Sequence, residues 1–208
     1  MLKTFLKFFL FLDNFCYKAI SCLAVRSEKG VHPKHRLTKY HQFFLNNISS
    51  DDKVLDVGCG HGLLAFEIAQ KAKEVFAIDI LKSNIEKAKK NYNLANLHFI
   101  LGDALEYNFE SKFDVIVLSN VLEHIKESKP FLFKMGKLSE KLLIRVPFLE
   151  RDWLVLYKKE MQVEHRLDKG HFIEYTMEDF KKELKQVGLS LEEHLIRFGE
   201  IWALVKKL

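Results

Sequence analysis

Residues 54–62 read VLDVGCGHG. An apolar run that contains Asp56 leads directly into glycines at positions 58, 60 and 62. Because glycine has no Cβ atom, the backbone here can bend sharply and come close to a bound molecule. The segment therefore predicts a buried strand followed by a ligand-binding turn, and the identity of the ligand is open at this point.

Strand-like and helix-like segments alternate along the rest of the chain. Apolar residues recur at helical spacing in 63–72, 82–92 and 129–139. Short apolar or β-branched runs that predict strands occupy 53–58, 75–80, 97–103, 113–120, 141–147, 189–198 and 200–208. This pattern predicts an α/β fold with a seven-stranded, mostly parallel, doubly wound sheet, an antiparallel C-terminal hairpin and an additional N-terminal amphipathic helix.

Two parts of the chain lie outside this alternation. Residues 1–30 are interpreted as the amphipathic helix with its connector, and residues 31–208 as the main domain, which starts with a second helical pattern over 34–46. Residues 148–175 fit no strand–helix unit and carry several aromatic residues and histidines, which predicts a lid-like insertion. Thr176 then begins a helix that Gly188 ends.

Composition restricts the class of protein. With 208 residues and 48% hydrophobic content, the chain can build one full core. The net charge of +5 is a mild bias toward anionic partners and falls far short of a nucleic-acid-binding tail. Three cysteines without metal-type spacing predict a reduced, cytoplasmic protein.

The N-terminal segment is crowded with phenylalanine. At about 100° per residue, five polar side chains fall on one narrow face of the helix, while Phe, Leu and Ile fill most of the remainder; they are Lys3, Lys7, Asn14, Lys18 and Ser21. The longest uncharged apolar run, 8–12, is too short to span a bilayer. We expect the helix to lie on an anionic membrane surface, at the inner face of the membrane, and the alternative is docking on the protein itself.

Polar residues close the first four predicted strands. Asp56, Asp79, Asp103 and Asn120 stand at the carboxyl ends, where open α/β sheets bind their ligands. The turn reads GxGxG, whereas a dinucleotide-binding turn is usually GxGxxG. An ionised Asp56 beside it would repel a pyrophosphate and attract a cation.

A ligand with a ribose, an adenine and a positively charged end fits these features. At this point the chain resembles the class I S-adenosylmethionine-dependent methyltransferases over about residues 50 to 147, through VLDVGCGHG, VFAIDI, GDALEY and FDVIVLSNVLEHI. The resemblance implies S-adenosylmethionine as the cofactor and a Rossmann-like fold. It implies a cofactor site made of Asp56, Gly58, Cys59, Gly60, Asp79, Ile80, Asp103, Ala104 and Asn120.

The acceptor site is less defined by the sequence. His124 is the candidate general base, with packing or helix capping as its structural alternative, and Arg145, His165 and His171 are candidate acceptor contacts. His165, Asp168 and His171 repeat every third residue, but that spacing drifts around a helix, so the sequence predicts no metal.

The segments after the fifth strand resemble those of methyltransferases that act on small molecules or lipids. The fourth strand is not followed by an NPPY-type segment, which lowers the expectation of a nucleic-acid partner. We therefore expect methyl transfer to a small-molecule or lipid-linked acceptor, with the O, N or C atom open. The alternatives are a nicotinamide-dependent reductase on the same fold and a non-catalytic cofactor-binding module. The oligomeric state is not predicted.

Overall fold

A computed structural model describes residues 1–28, 30 and 32–208 of the chain. The strands are β1 Lys53–Val57, β2 Glu74–Asp79, β3 Leu97–Leu101, β4 Val115–Ser119, β5 Lys141–Pro147, β6 Leu189–Arg197 and β7 Glu200–Lys207. The helices are α1 Leu2–Ser27, α2 Lys34–Thr38, α3 Tyr40–Asn46, α4 Leu63–Ala69, α5 Lys82–Asn91, α6 Ser128–Leu138, α7 Trp153–Glu160 and α8 Met177–Gln186. Two short 3₁₀ helices cover Leu122–His124 and Leu149–Arg151.

The seven strands form one sheet in the order β3-β2-β1-β4-β5-β7-β6. Strands β1 to β5 are parallel, and β7 runs antiparallel to both β5 and β6. The predicted fold class, including the C-terminal hairpin, is confirmed. The strand order reverses at β1 and β4, so the carboxyl ends of these two strands open a crevice at the edge of the sheet.

Both faces of the sheet are covered, which explains why its central strands are apolar throughout. Alternate residues of β1 belong to two different cores, because successive side chains of a strand point to opposite faces. Val54 packs with α3 and α4 on one face, and Leu55 packs with α6 and α8 on the other. Burying a side chain of this size stabilises the fold by about 1.5 to 3 kcal/mol.

A buried ion pair joins β5 to β7. Glu200 accepts hydrogen bonds from Arg145 Nε at 2.6 Å and Nη2 at 2.7 Å, and it also binds Lys34 and the indole of Trp202. The Arg145 guanidinium stacks on the ring of Tyr40, 3.7 Å from its centroid. Removing one partner of such a pair typically costs about 3 to 5 kcal/mol, because the other charge stays buried. Through Lys34 and Tyr40, this network therefore holds α2 and α3 against β5 and β7.

The helical segment predicted over 34–46 is two helices. Lys39 has φ +50°, in the left-handed region, and this residue separates α2 from α3. Thr176 caps α8 as predicted: its hydroxyl accepts from the backbone N–H of Asp179 at 3.0 Å.

The insertion 148–175 is held by side-chain ion pairs rather than by a sheet. Buried Glu174 binds Arg151 and His171, and it also accepts from the backbone N–H of Leu167 at 2.6 Å. The backbone N–H of Phe172 donates to the carbonyl of Glu123 at 2.7 Å. The insertion is thereby fastened to the segment that follows β4.

Helix α1 rests on this insertion through Asp13 and Asn14. Lys158 of α7 is buried and binds both Asp13 and Asn14, and Asn14 Nδ2 donates to the carbonyl of Glu164 at 2.7 Å. Leu10, on the same side of the helix, is buried. Asn14 and Leu10 thus face the protein, the lysines of the polar stripe are exposed, and the phenylalanine-rich side faces away from the protein.

By length and composition, α1 is also long and apolar enough to cross a membrane, and only 6% of its most apolar window is buried. By length and composition, the expectation that this segment is too short in apolar residues to span a bilayer therefore does not hold. A single helix of this kind is weak evidence for a span.

Candidate functional site

The glycine turn after β1 forms the floor of the crevice. Gly58, Gly60 and Gly62 have φ values of +68°, +55° and +85°, all in the left-handed region that disfavours other residues. A Cβ atom at Gly58 would lie 2.8 Å from Cγ2 of Val121, and one at Gly62 would lie 2.8 Å from the ring of Phe99. The turn therefore requires glycine for its conformation and for close packing.

The carboxylate of Asp79 holds this turn in place from the end of β2. Its Oδ2 accepts from the backbone N–H of Gly60 at 2.8 Å, and its Oδ1 accepts from Leu81 N at 2.8 Å and from Asn84 Nδ2 at 3.1 Å. Oδ1 thus accepts two hydrogen bonds and Oδ2 one, so Oδ2 has a further lone-pair direction for a ligand. Replacing Asp79 would consequently affect both the shape of the turn and the binding of a hydroxyl-bearing ligand.

Asp56 is buried at the centre of the switch point. Among the described residues, its Oδ2 atom has no hydrogen-bond partner. Burial, followed by the nearby charge of Asp79, raises the pKa of Asp56 to about 8. A ligand with a cationic group would remove this electrostatic penalty, because an opposite charge favours the ionised carboxylate.

Two cavities meet at the glycine turn, and together they contain every residue predicted to bind the cofactor. The larger, about 700 Å³, is lined by Gly58, Gly60, Asp79, Ile80, Asp103, Ala104, Asn120 and His124. The smaller, about 420 Å³, shares the two glycines and adds Asp56 and Cys59, together with His35 and Tyr40. Burial raises the pKa of the Cys59 thiol, which keeps it protonated and unsuited to act as a nucleophile.

Asn120 has a left-handed backbone conformation and makes a hydrogen bond to Glu123. Its φ of +57° lies in the left-handed region, and its Nδ2 donates to Oε1 of Glu123 at 2.6 Å. Glu123 is fully buried, its Oε2 lacks a partner within the described chain, and burial raises the pKa of its carboxyl to about 7. Glu123 is not among the residues predicted from the sequence, although an acid directly beside His124 at a strand end is a signal that could have identified it.

The predicted histidines separate into two groups. His124 is exposed, lines the larger cavity and lies next to buried His171, with 4.8 Å between the ring centroids. Burial, followed by the charge of His171, lowers the pKa of His124. His165 instead lines a different cavity, between α7 and the end of the insertion, and its carbonyl accepts from Arg151.

Arg145 is not placed to contact an acceptor. It is 5% exposed, and its guanidinium is engaged by Glu200, Tyr40 and the hydroxyl of Ser119. The geometry therefore favours a structural role for Arg145 and leaves His124, which lines the larger cavity, and His171 beside it as the predicted acceptor-side residues near the site.

Known proteins similar to this chain share its domain. The family model described as a methyltransferase domain matches residues 48–187. The chain is 29% identical over 129 residues to ubiquinone biosynthesis O-methyltransferase of Rickettsia conorii, a match that covers 61% of this chain and 45% of that protein. It is 32% identical over 121 residues to a probable ribosomal RNA small subunit methyltransferase of Pyrococcus abyssi, covering 54% of this chain and 44% of that protein.

The chain therefore spans less than half the length of these two relatives. Among solved structures, magnesium protoporphyrin IX methyltransferase of Synechocystis PCC 6803 with bound SAH is similar with a TM-score of 0.66 and 16% identity. That similarity covers 84% of this chain and 83% of that chain. The relatives share a domain and differ in the acceptor for which they are named.

The role of Asp56 predicts a proton release when S-adenosylmethionine binds. In the free protein at pH 7, a carboxyl with a pKa of about 8 is mostly protonated. The ammonium group of the ligand favours the ionised form, so binding expels the proton, and affinity should rise from pH 6 to 7.5 by up to about tenfold per unit. Calorimetry at pH 7 in two buffers with different ionisation heats measures this release.

Asp56→Asn should bind more weakly and release no proton. Asp103→Asn, which changes an exposed carboxylate of the larger cavity, should release the proton as the unaltered protein does. Equal binding heats in both buffers for the unaltered protein would contradict this assignment of Asp56.

Proposed function

Because the chain belongs to the methyltransferase-domain family, we propose that it transfers the methyl group of S-adenosylmethionine to a small-molecule or lipid-linked acceptor at the cytoplasmic face of a membrane. The observation that carries the proposal is the buried, unpartnered carboxylate of Asp56 beside a GxGxG turn. A dinucleotide would bring a pyrophosphate to this point, and its negative charge would keep the Asp56 carboxyl protonated and gain no attraction from it. The ammonium and sulfonium groups of S-adenosylmethionine would be attracted.

In this proposal the cofactor occupies both cavities. Its adenosine fits the larger one, where Asp79 accepts from the ribose hydroxyls and Ile80 and Ala104 supply apolar contact for the adenine. Asp103 accepts from the adenine amino group. The methionine end then passes over Gly58 and Gly60 toward Asp56, which brings the sulfonium close to Asn120.

The acceptor site is formed by the residues that follow β4 and by the insertion. Val121, His124, Ile125 and Phe131 line the larger cavity together with Phe172 of the insertion. Most of these side chains are apolar, which suits an acceptor with an apolar body. The methyl transfer is an in-line displacement, so the main task of the protein is to hold the acceptor atom against the methyl group. Two similar proteins are named for ubiquinone and for magnesium protoporphyrin IX, both small molecules.

Helix α1 supports a membrane-associated acceptor. Its large apolar residues are exposed on the side that faces away from the protein: Phe5, Phe8, Phe9, Phe11, Leu12, Phe15, Ile20 and Leu23. Burying one such side chain fully is favourable by about 1.5 to 3 kcal/mol, and a patch of this kind marks a membrane or protein contact. Lys3, Lys7 and Lys18 are exposed members of the polar stripe, so they can reach anionic head groups that contribute about 1 kcal/mol per lysine near the surface.

Transfer of label from methyl-labelled S-adenosylmethionine tests the proposed activity. Separate lipid, small-molecule, protein and RNA fractions of a cell extract are offered as acceptors, and the label should appear in the lipid or small-molecule fraction. Label in RNA or protein alone would assign a different acceptor class. Absence of label from every fraction would contradict an active methyltransferase.

Flotation with liposomes tests the role of α1. The full chain should float with vesicles that contain anionic lipid, and Phe5→Glu/Phe9→Glu should remain with the dense fraction, because two charges would enter the apolar side. Phe133→Glu changes an exposed phenylalanine on α6 and should float normally. If the full chain stays dense at low salt while it sediments as a dimer, the apolar side is a subunit contact and the membrane proposal is wrong.

A further inference from the structure

Three donor side chains converge beside the proposed acceptor site. Glu123 and His124 come from the 3₁₀ helix after β4, and His171 comes from the end of the insertion. Each offers one ligand atom, and these atoms all lie within 4.8 Å of one another. His124 also lines the larger cavity, so the cluster opens toward the place where the cofactor would lie.

Each of the three side chains is oriented by a neighbour that leaves one donor atom available. His171 Nδ1 is 3.1 Å from Oε1 of Glu174, and His124 Nδ1 is 3.3 Å from the carbonyl of Gly170. Asn120 binds Oε1 of Glu123. In the part of the chain that the structure describes, the two Nε2 atoms and Glu123 Oε2 have no hydrogen-bond partner.

This arrangement is the one that metal sites use. Histidine ligands typically give their second ring N–H to a carboxylate or a backbone carbonyl, which fixes the tautomer and turns the other nitrogen toward the ion. Here Glu174 and Gly170 fill those two roles. Glu123 is fully buried, and its Oε2 atom has no hydrogen-bond partner among the described residues. Because an isolated buried carboxylate is unfavourable, this oxygen also indicates a ligand.

We propose that Glu123 Oε2, His124 Nε2 and His171 Nε2 bind one divalent first-row transition metal ion, which holds an acceptor hydroxyl next to the methyl donor. Two imidazoles and one carboxylate suit Zn²⁺ or Mn²⁺ better than Mg²⁺ or Ca²⁺, which prefer oxygen ligands. Three protein ligands leave a position open for the acceptor. Metal–ligand bonds of about 2.1 Å require the three side chains to close in by about 1 Å, and exposed His124 is free to make that movement.

The inference rests on the proposed methyl transfer and specifies an oxygen acceptor for it. When the acceptor R–OH binds the ion, its pKa falls and its proton leaves to solvent. The R–O⁻ oxygen then forms a bond to the methyl carbon as the S–CH₃ bond breaks, and the sulfonium keeps the electron pair as a neutral thioether. His124 is a ligand in this scheme, which replaces its assignment as the general base.

Metal titration of the full chain tests the site without using activity. The chelator-treated protein is titrated with Mn²⁺ by calorimetry and with Co²⁺ by absorption, which reports the coordination geometry of the bound ion. We expect one ion per chain, and affinity that falls at least roughly tenfold in Glu123→Gln and in His171→Gln. His98→Gln is the matched control, because His98 lies beside the carboxylate of Glu74 at 3.2 Å and far from the cluster in the sheet order.

Binding of S-adenosylmethionine to the metal-free proteins shows that each variant is folded. If the unaltered protein binds the cofactor but takes up no stoichiometric metal, or if Glu123→Gln/His171→Gln binds metal as tightly as the unaltered protein, the metal site is wrong. If the metal binds as expected and the cofactor does not, the proposed methyl transfer fails while the metal site stands.

Discussion

The site depends on one unfavourable feature, a carboxylate buried at the end of β1 without a protein partner. Asp56 is 2% exposed, and its pKa is raised to about 8 by burial and by the charge of Asp79. An ordinary strand would carry an apolar residue here, as Val54, Leu55 and Val57 do. A cationic ligand explains an acid at this position, because the ligand supplies the positive charge that favours the ionised carboxylate.

The neighbouring groups are arranged around that position. Asp79 uses its carboxylate to fix the glycine turn, so the backbone N–H of Gly60 is already committed when a ligand arrives. The three glycines keep the turn open to close approach. This division of labour leaves Oδ2 of Asp56 without a hydrogen-bond partner among the described residues, which supports the proposal that the turn takes a ligand with a positive charge.

Residues whose roles follow from local pattern were predictable from the sequence. The strands, the hairpin and the cap at Thr176 follow from periodicity and turn chemistry within short windows, and Asp56, Asp79 and Asp103 stand out because they end predicted strands.

The Glu123–His124–His171 cluster could not be predicted in this way. It forms only because Glu174 and the Phe172–Glu123 hydrogen bond fix the end of the insertion against the segment after β4. The sequence pattern groups His171 with His165 and Asp168, but His165 lines a different cavity, and Asp168, although it lies near both cluster histidines, accepts from the backbone N–H of Gly170. Similarly, only the structure shows that Lys158 binds Asp13 and Asn14 of α1, which leaves the phenylalanines exposed on the outer side.

Titration of the protein with S-adenosylmethionine and, separately, with NADH tests the central claim most directly, since both ligands carry adenosine and differ in the group that reaches Asp56. The account predicts saturable binding of S-adenosylmethionine with a dissociation constant in the micromolar range, roughly −8 kcal/mol, and no measurable binding of NADH. Tight binding of NADH with none of S-adenosylmethionine would contradict it.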